Sequence, residues 1–570
     1  MITTPSLSCN PLPIANCQLP VSLTADSPRS ATGNWQLAIV VSVSFVVIVP
    51  TIVWGIPSNL DLTNHFRFAL PFYDAIAAGN FYPGWLAESN GGYGDPSFRF
   101  YPPALYYLLA AARFVVGNWF GATLVVFALL SIIGGLGMYL WSRSILPSQS
   151  AAWASLFYAL APYHLNQLYQ ATLLAEWTAS AVLPFVFAFV ERVLEKGKPR
   201  DIAGLAFSFG ILIFTHLPLT VIASFALLAY ALVRLEGPDK IRKLAKLSAG
   251  AVLGLVVSSV YWVTMVSELR WIRVNNVDTI ASAHYTNNFI FSTFSTDNLS
   301  VWWMNIIVVM TLLLFAPGLL LLSKRASSLR RVIKPALVVT AFALFMTVPL
   351  SRPIWWLLKP LQETQFPWRW TILVSMGGAL LAAAGLSLIS SSMDRAKRMV
   401  MFGAMAISVA FTLSHVVREA QYLCAERFES MLTDVRGTPS VNYWFPIWSR
   451  RDVRPMATEV EAHNRVVTVA SWQPEHRRFS VAAGPATEAR VRTFYYPHWT
   501  AKSETGTLTT RPDTDGALLV SLPPNATSVE LDFREPSKTK FSTMSSLGGL
   551  ILIGTLAAPF NRARASEKKA

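Results

Sequence analysis

The sequence predicts a polytopic α-helical membrane protein, with about 12–13 spans, that carries a β-sandwich near its C-terminus. Three observations predict this class. Of 570 residues, 53% are hydrophobic and 14% are charged, against roughly a quarter charged in average soluble domains. Apolar runs that approach or reach the roughly 20 residues a helix needs to cross a bilayer recur along the chain. From residue 465 to 533 the pattern changes to short alternating segments, RVVTVASW, RRFSVAA, ARVRTFYYPHW, GALLVSL and SVELDF, parted by Gly, Pro and Asp turns. Alternation of that kind is the period of a half-buried strand.

In chain order, residues 1–35 are rich in Ser, Pro and Thr and lack a basic region leading into a short apolar core. They are expected to be a disordered cytoplasmic tail and not a cleaved signal peptide. The first span is 36–54. Residues 55–103 form a loop too polar and too rich in Gly, Pro, Asn and aromatics to sit in lipid. Residues 104–117 are apolar but short and interrupted by Arg113, which suits a juxtamembrane helix on the outer surface. Further spans are expected at 121–141, 150–162, 173–193, 202–215, 217–233, 248–264, 301–322, 335–350, 371–391 and 399–415. A soluble domain, 416–542, is tethered by the last span, 543–560, and a basic tail ends the chain. That makes twelve spans within a 36–415 membrane region plus the final 543–570 segment. A thirteenth, at 104–117, would put the two termini on opposite sides.

The formal net charge of +15 follows topology and not nucleic-acid binding. Basic residues cluster in alternate short loops: Arg192, Lys196, Lys198 and Arg200; Arg234, Lys240, Arg242, Lys243 and Lys246; Lys324, Arg325, Arg330, Arg331 and Lys334; Arg395, Lys397 and Arg398. This is the positive-inside pattern. It leaves 55–103, 163–176, 265–300 (with Glu268, Arg270, Arg273, Asp278 and His284), 351–370 and 416–542 on the outer side. The three cysteines, Cys9, Cys17 and Cys424, form no disulfide framework and no metal-ligand spacing.

The candidate chemistry lies at the outer ends of spans. A polar, ionisable loop against a membrane span is a functional-site candidate. Asp61 and His65 are four apart, so on a helix they share one face. Asp61 is a candidate base or a helix cap. His65 would orient it, share a metal with it, or sit as an interfacial polar residue. The loop's aromatics, Tyr101 among them, suit the membrane interface and can stack on sugar rings. Glu176, in LLAEWTASAVLPF, is a carboxylate at a span end, costly there unless solvated or paired. Arg369, in QFPWRW, with Arg352 and Lys359 nearby, suits a lipid phosphate or interfacial anchoring. His164 and His216 fit structural roles better than catalytic ones. The YYPHW run, 495–499, reads as strand core or as a glycan contact.

The order of these features resembles the GT-C superfamily of polytopic glycosyltransferases: a span, a large outer loop opening on an acidic residue, a YPP run before an apolar helix, then a second acidic outer loop. FPWRW at 366–370 and YYPHWTA at 495–501 resemble the bacterial YfhO-like branch. Residues 55–110 resemble the membrane family catalogued as 6-pyruvoyl-tetrahydropterin synthase-related. No cluster of metal-binding histidines supports pterin chemistry. The resemblance implies a polyprenyl-phosphate-sugar donor, an extracytoplasmic glycan, lipid or protein acceptor, and a bacterial inner-membrane location with the site facing outward. It matches Asp61 and Glu176 to the superfamily's two acidic positions. The first loop departs from the pattern: His65 follows a single Asp where better-known members pair two acids, so a divalent metal, Mn²⁺ or Mg²⁺, stays open with Asp61 and His65 as its candidate ligands. A polyprenyl phosphate is a good leaving group and needs no general acid, so one carboxylate base and a cation for the phosphate can suffice. In-line displacement inverts the anomeric centre. The competing readings are a transporter or flippase for lipid-linked glycans and a noncatalytic partner in envelope assembly. The first would want midplane charges and internal repeats, and neither is visible.

Overall fold

The computed structural model describes residues 31–273, 284–322, 327–389, 393–437, 444–450 and 452–558. Expectations for Cys9, Cys17, Asp278, Lys324, Arg325 and most of the two tails lie outside the described residues.

Among the described residues, eight helices are long and apolar enough to cross a membrane: Trp35–Trp54, Trp119–Arg143, Leu174–Glu195, Leu217–Arg234, Thr296–Leu314, Pro367–Leu386, Arg395–Arg418 and Ser537–Ala557. Two further pairs are bent, Lys240–Val257 with Ser259–Trp271 by 69° and Leu329–Thr347 with Pro349–Leu357 by 91°. Counting each pair once gives ten. The two other expected spans fold as shorter helices, Ser148–Ala159 and Pro199–Thr215, of 12 and 17 residues. At 1.5 Å per residue these are about 18 and 26 Å long, short of the roughly 30 Å hydrocarbon core. Pro162 opens a new helix directly after the first of them, and His216 ends the second. Residues 104–117 become the 13-residue helix Ala104–Val116, which buries Leu105, Tyr106, Leu109 and Ala110 along one side. The innermost helix is Thr371–Leu386, buried on almost all sides. Its small residues permit that: a Cβ on Gly385 would meet the Pro317 carbonyl oxygen at 1.9 Å.

The helix Leu174–Glu195 fixes the two ends of the bundle. Glu176 stands at one end and Arg192 at the other. At the Arg192 end, Arg192 pairs with Asp201 at 3.1 Å, Arg234 with Glu191 at 2.8 Å, and Lys246 donates to the Gly197 carbonyl at 2.7 Å. At the Glu176 end gather the first loop, residues 265–273, the segment around 285–290, and 349–370. Ile272–Arg273 pairs as a strand with Phe445–Pro446, and Ile290 N–H donates to the Thr347 carbonyl at 2.8 Å.

The β-sandwich stands over this end. Its five-stranded sheet runs, in spatial order, Gly506–Leu508, Trp499–Ser503, Thr527–Phe533, His476–Val481, Val467–Trp472. The four-stranded sheet runs Thr510–Pro512, Ala517–Leu522, Thr487–Phe494, Val460–Ala462, and every pairing is antiparallel. Alternate residues Phe479, Val481, Val529 and Leu531 meet Val491, Phe494, Leu518 and Val520 in the core. Phe494, Tyr496 and Trp499 of the YYPHW region are all buried. Upstream, the helix Ala425–Gly437 sends Phe428, Leu432 and Val435 into the membrane unit's core instead.

The first loop divides its aromatics between the two units. Its helix Leu62–Ala77 packs Phe66, Phe68 and Phe72 into the bundle core, whereas Trp85, Tyr93 and Phe100 belong to the sandwich core. Between the two lies Arg99, 0% exposed, clamped by Glu268 (2.5 and 2.6 Å) and Glu535 (2.5 and 2.9 Å). Tyr496 Oη donates to Glu268 at 2.7 Å, and His498 Nε2 lies 2.9 Å from it.

Two outcomes are expected. Replacing Arg99 by Gln leaves the buried Glu268 carboxylate without its cation, a change that costs about 3–5 kcal/mol; the unfolding midpoint in detergent should fall clearly, and an unchanged midpoint would refute the clamp. Asp95 is buried, and burial pushes its carboxyl up to about 7 despite hydrogen bonds from Ser97 and Asn90. Its ordinary value is 3.8, so between these two values the folded chain holds a proton the unfolded chain has lost. Stability therefore falls as pH rises from about 4 to about 7 and then levels. Asp95→Asn should flatten that slope in thermal melts across the window.

Candidate functional site

Asp61 is the residue immediately before the helix Leu62–Ala77, the position where Asp usually caps the helix with its side chain. Here it makes no side-chain cap hydrogen bond. Thr172 meets the helix start instead: its hydroxyl accepts from the backbone N–H of Asp61 at 3.0 Å and of Leu62 at 3.1 Å. Thr172 holds φ +47°, a left-handed conformation that strains a β-branched residue. The strain lies where the second outer segment meets the first.

The Asp61 carboxylate is thereby turned outward, 30% exposed. Its Oδ1 accepts from Asn64 Nδ2 at 2.8 Å. Its Oδ2 lies 3.6 Å from His65 Nε2. That ring nitrogen accepts the Leu174 N–H at 3.1 Å, so the ring's proton sits on Nδ1, facing Tyr106 Oη at 3.1 Å. Burial lowers the His65 pKa, more than the Asp61 charge raises it, which agrees with a neutral ring. Leu60, 80% exposed, gives the site an apolar lip.

Two residues beyond Leu174 stands Glu176, 1% exposed. Both its oxygens are engaged. Oε1 accepts from Tyr163 Oη at 2.8 Å and Gln167 Nε2 at 2.7 Å, and Oε2 from Arg369 Nε at 3.0 Å. Arg369 also donates to the Thr364 carbonyl at 2.5 Å and lies over the Phe366 ring. The short helix Pro162–Tyr169 supplies Tyr163 and Gln167 on one face, as their spacing of four requires. His216 accepts the Leu219 N–H at 3.3 Å as a helix cap, within electrostatic reach of Arg369 and His65.

The structure thus brings Asp61, His65, Glu176 and Arg369 to one end of the bundle. Tyr101 adjoins them, stacked on Phe68 at 5.2 Å and 5.9 Å from Tyr106. Arg352 and Lys359 do not join. Arg352 is exposed over Phe289, and Lys359 is exposed on the helix Lys359–Gln362. His164 is enclosed between Tyr158 and Trp177. Thr172, Asn64, Tyr163 and Gln167 escaped sequence reasoning: their types carry no signal, and only contacts across more than a hundred residues give Thr172 its role.

A divalent metal does not fit His65, because both ring nitrogens already face protein partners and Asp61 alone offers an open oxygen. Among the described residues, His476, Glu530 and Asp532 are the one group of three side chains spaced for a metal. They lie on the sandwich, where Arg478 pairs with Glu530 and Arg534 with Asp532.

A helical bundle with ionisable groups at one end and a β-sandwich seated over that end defines a multi-pass membrane protein. Residues 98–423 match the family described as 6-pyruvoyl-tetrahydropterin synthase related domain, membrane protein, more than half of the chain. The chain belongs to that family. No curated protein matches. Among solved structures it is similar to the arabinofuranosyltransferase AftD from Mycobacteria (TM-score 0.46, 18% identity, 68% of this chain and 27% of that one). It is also similar to ArnT from Cupriavidus metallidurans bound to undecaprenyl phosphate (0.39, 14%, 71% and 76%). A third is the oligosaccharyltransferase AglB from Archaeoglobus fulgidus in complex with an inhibitory peptide and a dolichol-phosphate (0.40, 12%, 70% and 58%). The chain spans about a quarter of the arabinofuranosyltransferase's length.

If Glu176 and Arg369 neutralise each other, Glu176→Gln alone should destabilise by about 3–5 kcal/mol, since it leaves a buried guanidinium unpaired. Pairing it with Arg369→Met should recover much of that loss. Thermal melts of the single and double variants check this, and additive losses would contradict it.

Proposed function

We propose that this protein is a GT-C-type glycosyltransferase that moves a sugar from a polyprenyl-phosphate donor to an acceptor hydroxyl on the outer side of a bacterial inner membrane. The observation that carries the reading is Asp61. A carboxylate at a helix start, relieved of capping by Thr172, partly open to solvent and backed by a neutral histidine, is poised to accept a proton. The acceptor oxygen attacks the anomeric carbon as its proton passes to Asp61 Oδ2. The bond from that carbon to the phosphate oxygen breaks on the opposite face, so the product is inverted. The phosphate departs as an anion without a general acid. Glu176 serves this reading as a positioning residue: it holds Arg369, and through the 172–176 segment it shares a scaffold with the Asp61 cap. Tyr101 and its aromatic neighbours would flank the sugar. The sandwich would present the acceptor, which can be a glycan, a lipid or a protein.

Purified full-length protein, supplied with a pool of polyprenyl-phosphate sugars and envelope acceptors, should consume donor and transfer its sugar. Asp61→Asn keeps the shape and removes the base, so transfer should fall by about 10²–10⁴-fold while the donor still binds. Undiminished transfer in Asp61→Asn would overturn the base assignment. Donor moved across the bilayer without bond cleavage would instead identify a flippase.

A further inference from the structure

The cation closest in bonding to Asp61 is Arg67, which composition and spacing leave without a role. Asp61, Asn64 and Arg67 follow one another at intervals of three on the helix Leu62–Ala77, so they form a shallow stripe on one side of it. Hydrogen bonds link the stripe. Arg67 Nη1 donates to Asn64 Oδ1 at 3.2 Å, and Asn64 Nδ2 donates to Asp61 Oδ1 at 2.8 Å. The neutral amide of Asn64 thus separates the two charges and fixes the direction of both side chains.

Arg67 forms no ion pair among the described residues. Its Nε is buried with no hydrogen-bond partner. Three other arginines at this end of the bundle are ion-paired: Arg99 is clamped by Glu268 and Glu535, Arg369 by Glu176, and Arg436 by Asp74 at 2.8 Å; Arg113 and Arg352, which lack a pair, lie over aromatic rings instead. A half-buried guanidinium with no carboxylate paired to it is an unmatched positive charge, and planar guanidinium groups bind phosphate through paired N–H donors. The exposed Leu60 beside Asp61 adds an apolar lip. An anionic head with an apolar tail fits both features better than a small soluble anion does.

We propose that Arg67 is the residue that receives the phosphate of an isoprenoid phosphate at the Asp61 site. This rests on the transferase reading and deepens it. Arg369, neutralised by Glu176, keeps the scaffold, and Arg67 supplies the charge that the departing phosphate needs. Asn64 holds Arg67 in line with the base.

The test is equilibrium binding of a water-soluble, short-chain polyprenyl phosphate to the full-length protein in detergent, followed by the change in tryptophan fluorescence. A charge-assisted contact to phosphate corresponds to about a ten- to hundredfold change in affinity. Arg67→Gln should weaken binding by that factor. Arg67→Lys, which keeps the charge and loses the fork, should weaken it only several-fold. Asp61→Asn should leave it nearly intact. Phosphatidic acid of matched chain length reports any preference for ordinary lipid headgroups, and it should bind weakly and be indifferent to Arg67→Gln. Wild-type affinity in a folded Arg67→Gln variant overturns the proposal, as does an equal loss of both lipids. Should Arg67→Gln fail to fold, the Arg67→Lys decrement decides. Arg67-dependent binding without sugar transfer by the wild type would keep this anion site and refute the transferase reading.

Discussion

The guanidinium of Arg99 is enclosed between two carboxylates that come from opposite sides of the molecule. Glu268 ends a bundle helix, and Glu535 lies in the link between the sandwich and the last span. A planar fork with two carboxylates in its plane tolerates little rotation. The clamp therefore sets the orientation of the sandwich over the bundle more than it adds to net stability, since desolvation of buried ions offsets much of their attraction. The same residue closes the loop that began at Asp61, so the attitude of the sandwich and the course of that first loop are set together.

Around that clamp, the first loop acts as a rivet. Its helix contributes Phe66, Phe68 and Phe72 to one core and its distal turn contributes Trp85, Tyr93 and Phe100 to the other. Burial of such aromatics is worth a few kcal/mol each. The loop is thus no floating strap on the membrane surface. Its Arg99 is the polar residue at the seam, bonded to carboxylates of both units.

Much of this was legible in the sequence, for reasons of period and composition. The membrane class, the gathering of the acidic loops at one end of the bundle and the buried Phe494, Tyr496 and Trp499 follow from apolar runs and from alternation. Span geometry was less legible: the breaks near Pro162 and at His216 show in the sequence, but the bends of 69° and 91° within two other expected spans do not. The site was legible in its residues and not in its bonding. Glu176 and Arg369 were visible as isolated charges at span ends, but their pairing across 193 positions was not. Arg67 sat in plain sight next to His65. What separates it from Arg369 is that, among the described residues, no carboxylate pairs with it, and that is a property of packing.

The strand pair of Ile56–Pro57 with Tyr422–Leu423 and the Arg99 clamp have a common implication for biosynthesis. Both join the first fifth of the chain to its latter part, and the Arg99–Glu535 contact spans 436 positions. At ribosomal rates of about 5–20 residues per second, the partner of Arg99 emerges roughly 20–90 seconds after Arg99 itself. Until then Arg99 has only its nearer partner, Glu268, which lies 169 positions on. The seal of the sandwich over the bundle is consequently among the last contacts to form, and a nascent chain halted before Glu535 holds that clamp half made.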